Sequence, residues 1–106
     1  PRGQGIKGKS KTMLMSYAAR VALEIGADIV KLKYEGKLKD LEWAVENANK
    51  VKVVIAGGTK KNEKLLLKQI KDIMKAGCSG LAIGRNVWQN KNPLEITNKI
   101  KKIIWK

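Results

Sequence analysis

Short apolar runs alternate with longer amphipathic stretches along this chain of 106 residues. Apolar residues recur at helical spacing within residues 12–25, around 38–48, around 60–76 and after Asn92-Pro93, which predicts four long helices. Three short apolar runs between them predict strands at residues 27–34, 51–56 and 80–83. Gly26 and Gly77 end two of the helices, as glycine commonly does. A short helical piece is expected to open at 84–86.

The unit of strand, glycine-containing turn and helix recurs at intervals of about 25 residues, which indicates α/β architecture. Strands this short and apolar suit a parallel sheet covered by helices, in a doubly wound sheet or a (β/α)8 barrel. Three strands alone leave both sheet edges unpaired, and a complete barrel needs eight strands and about 250 residues. We therefore expect a fragment, one chain of a split enzyme, or an oligomer that completes the sheet.

The net charge of +14 is the strongest signal in the composition, and it attracts phosphate-bearing partners, nucleic acids included. The lysines are spread out, however, and few aromatic residues are present for base stacking. A solvated basic face is therefore favoured over a nucleic-acid-binding module, whose binding would weaken steeply with salt. Six of the lysines are spaced along the predicted third helix: Lys60, Lys61, Lys64, Lys68, Lys71 and Lys75.

Several kinds of chemistry are excluded by what the chain does not contain. It has no histidine, which removes imidazole bases, Ser-His pairs and His-ligated zinc. Cys78 is the single cysteine, so no intrachain disulfide or cysteine metal cluster forms, and we expect it to be buried. No metal or cofactor is predicted. No segment approaches the roughly 20 apolar residues of a membrane span, and residues 1–11 do not form a secretory signal, so we expect a cytoplasmic protein.

Lys31 is the candidate catalytic residue, because it lies within a predicted strand. Side chains alternate between the faces of a strand, so Val30 and Leu32 point one way, and Lys31 and Lys33 the other. In a barrel, Lys31 would face the interior near the mouth, where barrel enzymes keep their active sites. Desolvation and the like charge of Lys33 would both favour a neutral amine, which can attack a ketone to form an imine. The alternative is a lysine that extends from a sheet edge into water.

Two glycine turns are candidates for a phosphate site. Gly57-Gly58 follows the second predicted strand, and Gly84-Arg85-Asn86 follows the third. In barrel enzymes the last two strand–helix loops often bind phosphate through backbone amides and a helix N-terminus. Arg85 could add charge-assisted hydrogen bonds. Glycines are also routine in such turns, so this signal gains weight only beside Lys31.

A series of motifs in order along the whole chain resembles the DhnA-type class I aldolase family. Residues 31–34 and 43–45 are most similar to the archaeal class I fructose-bisphosphate aldolases within it. The motifs are Pro1-Arg2-Gly3, Ala18-Ala19-Arg20, Gly26-Ala27-Asp28-Ile29-Val30-Lys31, Ala56-Gly57-Gly58, Ala76-Gly77, Gly84-Arg85-Asn86-Val87-Trp88-Gln89 and Asn92-Pro93.

The resemblance implies that residues 1–106 are the C-terminal portion of a (β/α)8 TIM barrel, with strands 6 to 8, their helices and the helix after strand 5. It implies that Lys31 is the Schiff-base lysine and that Gly57, Gly58, Gly84 and Arg85 surround a substrate phosphate. Lys33 would support Lys31. The implied reaction is metal-independent cleavage of fructose 1,6-bisphosphate to dihydroxyacetone phosphate and glyceraldehyde 3-phosphate, in glycolysis or gluconeogenesis.

The family's acid/base residues would lie before Pro1, so the isolated chain is expected to be inactive or nearly so. Its partners would be a phosphorylated sugar and either the N-terminal remainder of the barrel or further copies of itself. Three alternatives stay open. The chain could belong to a sibling enzyme such as 2-amino-3,7-dideoxy-D-threo-hept-6-ulosonate synthase or an acyltransferase, it could be a non-catalytic assembly fragment, or it could be the basic nucleic-acid-binding module considered above.

Overall fold

A computed structural model describes residues 10–34 and 37–105 of the chain. The predicted order of helices and strands is confirmed, with each strand shorter than expected by one to three residues. The motif at residues 1–3 lies outside the described residues. The elements are α1 (Lys11–Glu24), β1 (Ile29–Lys33), α2 (Leu38–Ala48), β2 (Lys52–Ala56), α3 (Glu63–Lys75), β3 (Gly80–Ala82), α4 (Arg85–Trp88) and α5 (Pro93–Ile104).

The strands form one parallel sheet in the order β1-β2-β3. Lys31 pairs with Val54, which pairs with Gly80 in turn. Two rows further towards the carboxyl ends, Lys33, Ala56 and Ala82 lie side by side. Since all three strands run the same way, the loops that follow them leave from the same edge of the sheet.

Helices cover one face of the sheet, and this face holds the core. Leu32, Val53 and Ile55 are buried there, as strand alternation predicts for a sheet with one covered face. Two groups of side chains pack on them. The first group brings α1 and α2 onto the sheet through Met15, Ala19, Ala22, Leu41, Ala44 and Ala48, and the second joins α3 to α5 through Leu66, Ile70, Ile96 and Ile100.

The opposite face of the sheet is open. Ile29 is 58% exposed although it is a large apolar residue, and Lys31 and Lys33 are exposed beside it. Burying an isoleucine side chain is worth about 1.5–3 kcal/mol, so an uncovered one marks a surface suited to further packing.

Helix ends follow from local chemistry. The side chain of Asn62 caps α3 by accepting a hydrogen bond from Leu65 N at 2.8 Å. Gly26 and Gly77 adopt positive φ values of 82° and 93° directly after α1 and α3, which confirms their predicted roles as helix terminators.

One prediction about α3 was wrong. Lys60 and Lys61 precede the helix, because the Asn62 cap starts the first turn after them. Both belong to the loop between β2 and α3. Cys78 is buried, as predicted. Among the described residues, no helix is long and apolar enough to cross a membrane.

Candidate active site

The predicted site residues lie towards the carboxyl ends of the three parallel strands. Lys31 and Lys33 occupy β1, and the two glycine turns follow the carboxyl ends of β2 and β3. Gly57 comes directly after Ala56, which is level with Lys33, so Lys33 lies in the last row of the sheet before the turns and Lys31 lies two rows below it. The sheet register therefore brings the residues together.

Lys31 projects from the open face of the sheet. Its neighbours in the same row are Val54, which has a small apolar side chain, and Gly80, which has none. The Lys31 side chain is exposed, so the burial that the sequence led us to expect is not provided by the described residues. Any shelter for this amine would have to come from chain that packs on the open face.

Tyr34, directly after β1, points to the helical face and away from Lys31. It is half-buried and packs against the first group of core residues. Burial raises the pKa of the Tyr34 phenol, and the charge and hydrogen bonding of Asp72 in α3 add to the effect, followed by the charge of Asp40 in α2. These contacts tie the end of β1 to α3. They give Tyr34 a structural environment rather than a position beside the reacting amine.

The first glycine turn has one occupied and one available backbone donor. Gly57 donates its N–H to the carbonyl of Ala82 at 3.1 Å, which continues the pairing of β2 with β3. Gly58 has a φ of +73°, a conformation that favours glycine. Within the described residues, no acceptor receives the Gly58 N–H. Gly58 is therefore the better candidate donor of the two.

The second turn begins α4. The Gly84 carbonyl accepts hydrogen bonds from Val87 N at 2.8 Å and Trp88 N at 3.1 Å. The N–H groups of Gly84 and Arg85 have no acceptor in the part of the chain described, and the Arg85 side chain is exposed. The ring of Trp88 lies against Gly84 so closely that a Cβ there would be 2.5 Å from Cη2.

Asn86 was expected in the second turn from the sequence, but no role in the site was predicted for it. Only 2% of it is exposed. Its Oδ1 accepts a hydrogen bond from Lys61 N at 2.7 Å, and its Nδ2 donates to the carbonyl of Thr59 at 3.2 Å. The side chain thus binds the β2–α3 loop to α4. Its position after the Gly-Arg turn was visible in the sequence, but nothing in the sequence indicated the partners.

The lysines of the β2–α3 loop strengthen the same connection. Lys61 Nζ donates to the Gly57 carbonyl at 3.2 Å, and Lys60 Nζ donates to the Gln89 carbonyl at 2.7 Å. These two lysines therefore hold the loops around the glycine turns and are not part of a solvated helical face.

The arrangement offers the Lys31 amine on the open face of the sheet and backbone N–H donors in the two glycine turns at the carboxyl ends of β2 and β3. A cavity of about 20 Å³ does lie between the sheet and α3, but it has room for only about one water molecule and does not hold a substrate. In the described residues, no group of three His, Cys, Asp or Glu side chains is arranged to hold a metal ion.

Comparison with known proteins agrees with this geometry. Residues 1–90 match the model of the DeoC/LacD family of aldolases. The chain belongs to this aldolase family. It is 42% identical over 106 residues to the class 1 fructose-bisphosphate aldolase of Thermoproteus tenax, and 42% identical over 105 residues to that of Halobacterium salinarum. Each alignment covers 99% of this chain and 40% of the relative.

Solved structures extend the similarity to the fold. An archaeal fructose 1,6-bisphosphate aldolase superimposes with a TM-score of 0.92 at 40% identity, over 99% of this chain and 42% of that one. A second, solved with its catalytic lysine covalently bound to the carbinolamine intermediate, has a TM-score of 0.93 at 39% identity and is covered to 43%. The chain is thus part of a TIM barrel, as predicted, and spans about two-fifths of the length of these relatives.

Proposed function

We propose that this chain carries the Schiff-base lysine and part of a phosphate site of a class I fructose-bisphosphate aldolase. The observation that carries the proposal is the position of Lys31 on the open face of a barrel segment, two rows below the last row of the sheet, after which the two glycine turns follow. The 42% identity to class 1 fructose-bisphosphate aldolases, and the carbinolamine on the catalytic lysine of a structural relative, support it.

The chemistry proceeds through an imine. The neutral amine of Lys31 attacks the C2 ketone of fructose 1,6-bisphosphate, and the carbinolamine loses water to give a protonated imine. Removal of the proton from the C4 hydroxyl breaks the C3–C4 bond, whose electron pair moves into the imine to form an enamine. Glyceraldehyde 3-phosphate leaves. Protonation of the enamine and hydrolysis then release dihydroxyacetone phosphate and restore the amine. The protonated imine is the electron sink, so the scheme needs no metal ion.

The phosphate would be held by the two turns at the carboxyl ends of β2 and β3. Gly58, Gly84 and Arg85 have backbone N–H groups without partners in the described residues, and the Arg85 side chain adds a positive charge. Gly57 would shape the turn rather than donate, because its N–H is already bonded. Lys33, two residues on from Lys31 and on the same face of the sheet, would be a supporting residue.

The scheme also needs an acid/base group and a closed site, and these would come from chain outside residues 1–106. We therefore propose that the remainder of a barrel packs on the open sheet face that carries Ile29, and that residues 1–106 alone are nearly inactive. Self-association is an alternative way to cover the face. A cytoplasmic role in glycolysis or gluconeogenesis is part of the same proposal.

The direct test is a chimeric barrel. The matching two-fifths of the Thermoproteus tenax aldolase is replaced by this chain, and release of dihydroxyacetone phosphate from fructose 1,6-bisphosphate is measured. Lys31→Met should reduce the rate by about three orders of magnitude or more, because the nucleophile is lost. The matched control Lys68→Met, on the exposed side of α3 and outside the proposed site, should retain most of the rate.

Two results would contradict the proposal. One is a Lys31→Met chimera that cleaves the substrate as fast as its parent. The other is a parent chimera that folds cooperatively and has no cleavage activity. The sibling reaction is less favoured, since a 2-amino-4,5-dihydroxy-6-oxo-7-(phosphonooxy)heptanoate synthase from Streptomyces griseus is 33% identical over 105 residues. A panel of phosphorylated keto substrates offered to the chimera would distinguish the two.

A further inference from the structure

We infer that Asn86 is a positioning residue that holds the two glycine turns of the phosphate site at a fixed separation; this inference rests on the proposed phosphate site. Asn86 stands next to Arg85 in α4, and its buried amide binds the main chain of Thr59 and Lys61 in the other loop. Each of its two polar atoms makes a hydrogen bond with the opposite loop.

The amide contacts determine how the first turn presents its donor. Lys61, whose backbone N–H is fixed by Asn86 at 2.7 Å, places its Nζ 3.2 Å from the Gly57 carbonyl. The C=O and N–H of one trans peptide unit point in opposite directions, and the described residues contain no cis peptide bond. The N–H of Gly58 is therefore directed away from the Lys61 ammonium. The same ammonium polarises the peptide and makes that N–H a stronger donor.

The second turn is oriented by the same geometric rule. The Gly84 carbonyl points into α4, where Val87 N and Trp88 N donate to it, so the Arg85 N–H points out of the helix. Asn86 is thus connected to both donors: it follows Arg85 directly in the chain, and it reaches Gly58 through Lys61.

A merely structural asparagine would not distinguish between ligands. If Asn86 only stabilised the fold, its loss would weaken every ligand alike or none of them. A positioning role makes a different prediction, because the loop separation matters only to a ligand that bridges the turns. Loss of Asn86 should then weaken binding of a phosphorylated ketone and leave an unphosphorylated one unaffected.

The test uses the chimeric barrel with Lys31→Met in every variant, so that binding is measured without imine formation. The dissociation constant for dihydroxyacetone phosphate is determined by calorimetry. Asn86→Ala should raise it on the order of tenfold, the effect of losing well-placed hydrogen bonds. Ala44→Gly, a buried change in α2 on the other side of the core, serves as the control for general destabilisation and should leave the constant within about twofold.

A second measurement uses barrels that retain Lys31 and compares borohydride trapping of dihydroxyacetone, which has no phosphate. The dihydroxyacetone concentration that gives half-maximal trapping should be the same for Asn86→Ala as for the parent. The inference is overturned if the constant for dihydroxyacetone phosphate does not change, if Ala44→Gly raises it equally, if both ketones weaken together, or if the parent has no affinity for dihydroxyacetone phosphate. If Asn86→Ala raises the dissociation constant for dihydroxyacetone phosphate in the Lys31→Met barrels, Ala44→Gly does not, and no imine forms at Lys31 in the parent, the inference stands and the proposed catalytic role of Lys31 fails.

Discussion

A methyl group added at Gly57 would collide with the strand beside it. The new Cβ would lie 2.8 Å from Ile83 Cβ and 3.1 Å from Ile83 Cα, and it would meet Ile83 Cγ2 more closely still. Carbon atoms pack at about 3.5–4.0 Å, so Ile83 Cβ would have to move by about 0.7 Å and Cγ2 by more. Ile83 packs against the second core group, between α3 and α5, which restricts that movement.

Gly57→Ala should therefore lower the free energy of unfolding by about 1–3 kcal/mol, the usual cost of overpacking. Gly58→Ala is the matched control in the same turn. A Cβ on Gly58 meets nothing within 4 Å, but its φ of +73° strains any other residue by about 1–2 kcal/mol. The two substitutions should thus lower the free energy of unfolding by similar amounts, one through a steric clash and the other through backbone strain.

A double-mutant cycle in the 106-residue chain separates the causes. The free energies come from urea unfolding followed by circular dichroism, with linear extrapolation to water. Ile83→Ala removes Cγ2, the atom that the new methyl group meets most closely, and leaves Cβ in place, so it should recover part of the Gly57→Ala loss, about 1 kcal/mol. The effects of Ile83→Ala and Gly58→Ala should add to within about 0.5 kcal/mol. Additivity of Gly57→Ala with Ile83→Ala would refute the packing explanation.

Three other predictions concern the helices and the core. Asn62→Ala removes the oxygen that accepts Leu65 N–H at 2.8 Å, so it should lower the free energy of unfolding by about 1 kcal/mol in urea. Burial raises the pKa of the Cys78 thiol from 9.0 to about 11. The free energy of unfolding should therefore fall by up to about 3 kcal/mol between pH 9 and 11, as the unfolded thiol ionises first, and Cys78→Ala should remove this part of the pH dependence. Lys99 Nζ lies 3.3 Å and 3.2 Å from carboxylates in the first turns of α3 and α5, so Lys99→Met should lower the melting temperature slightly in low salt and not in about 1 M salt.

Each of these results has a clear opposite. An Asn62→Ala chain with the same free energy of unfolding as the parent would contradict the capping role of Asn62. A pH dependence that survives unchanged in Cys78→Ala would contradict its raised pKa. For Lys99, the control is Lys68→Met on the exposed side of α3, and equal effects of the two changes at low salt would show that the ion pairs do not stabilise the fold.

The features that the sequence predicted are those set by neighbouring residues. Alternation within β1 placed Leu32 in the core and Lys31 on the opposite face, and the structure confirms both. The positive φ values of Gly26 and Gly77 follow from their places directly after helices. Such features depend on a few adjacent residues, so a single sequence is enough to show them.

Features that depend on distant contacts were not predictable. The Asn86 amide binds residues 25 and 27 positions away, and no local pattern encodes that pairing. Lys60 and Lys61 continue the helical spacing of α3, so periodicity placed them in the helix, but the Asn62 cap excludes them. The expected burial of Lys31 depends on whatever covers the open sheet face, which is a property of more than these three strands.

The most direct test of the central claim is the location of a trapped imine. The chimeric barrel is reduced with borohydride in the presence of dihydroxyacetone phosphate, digested, and mapped by mass spectrometry. We expect the mass of the reduced adduct on the peptide segment that contains Lys31, at Lys31 itself. An adduct on Lys33 or on another lysine, or equal labelling after Lys31→Met, would contradict the account.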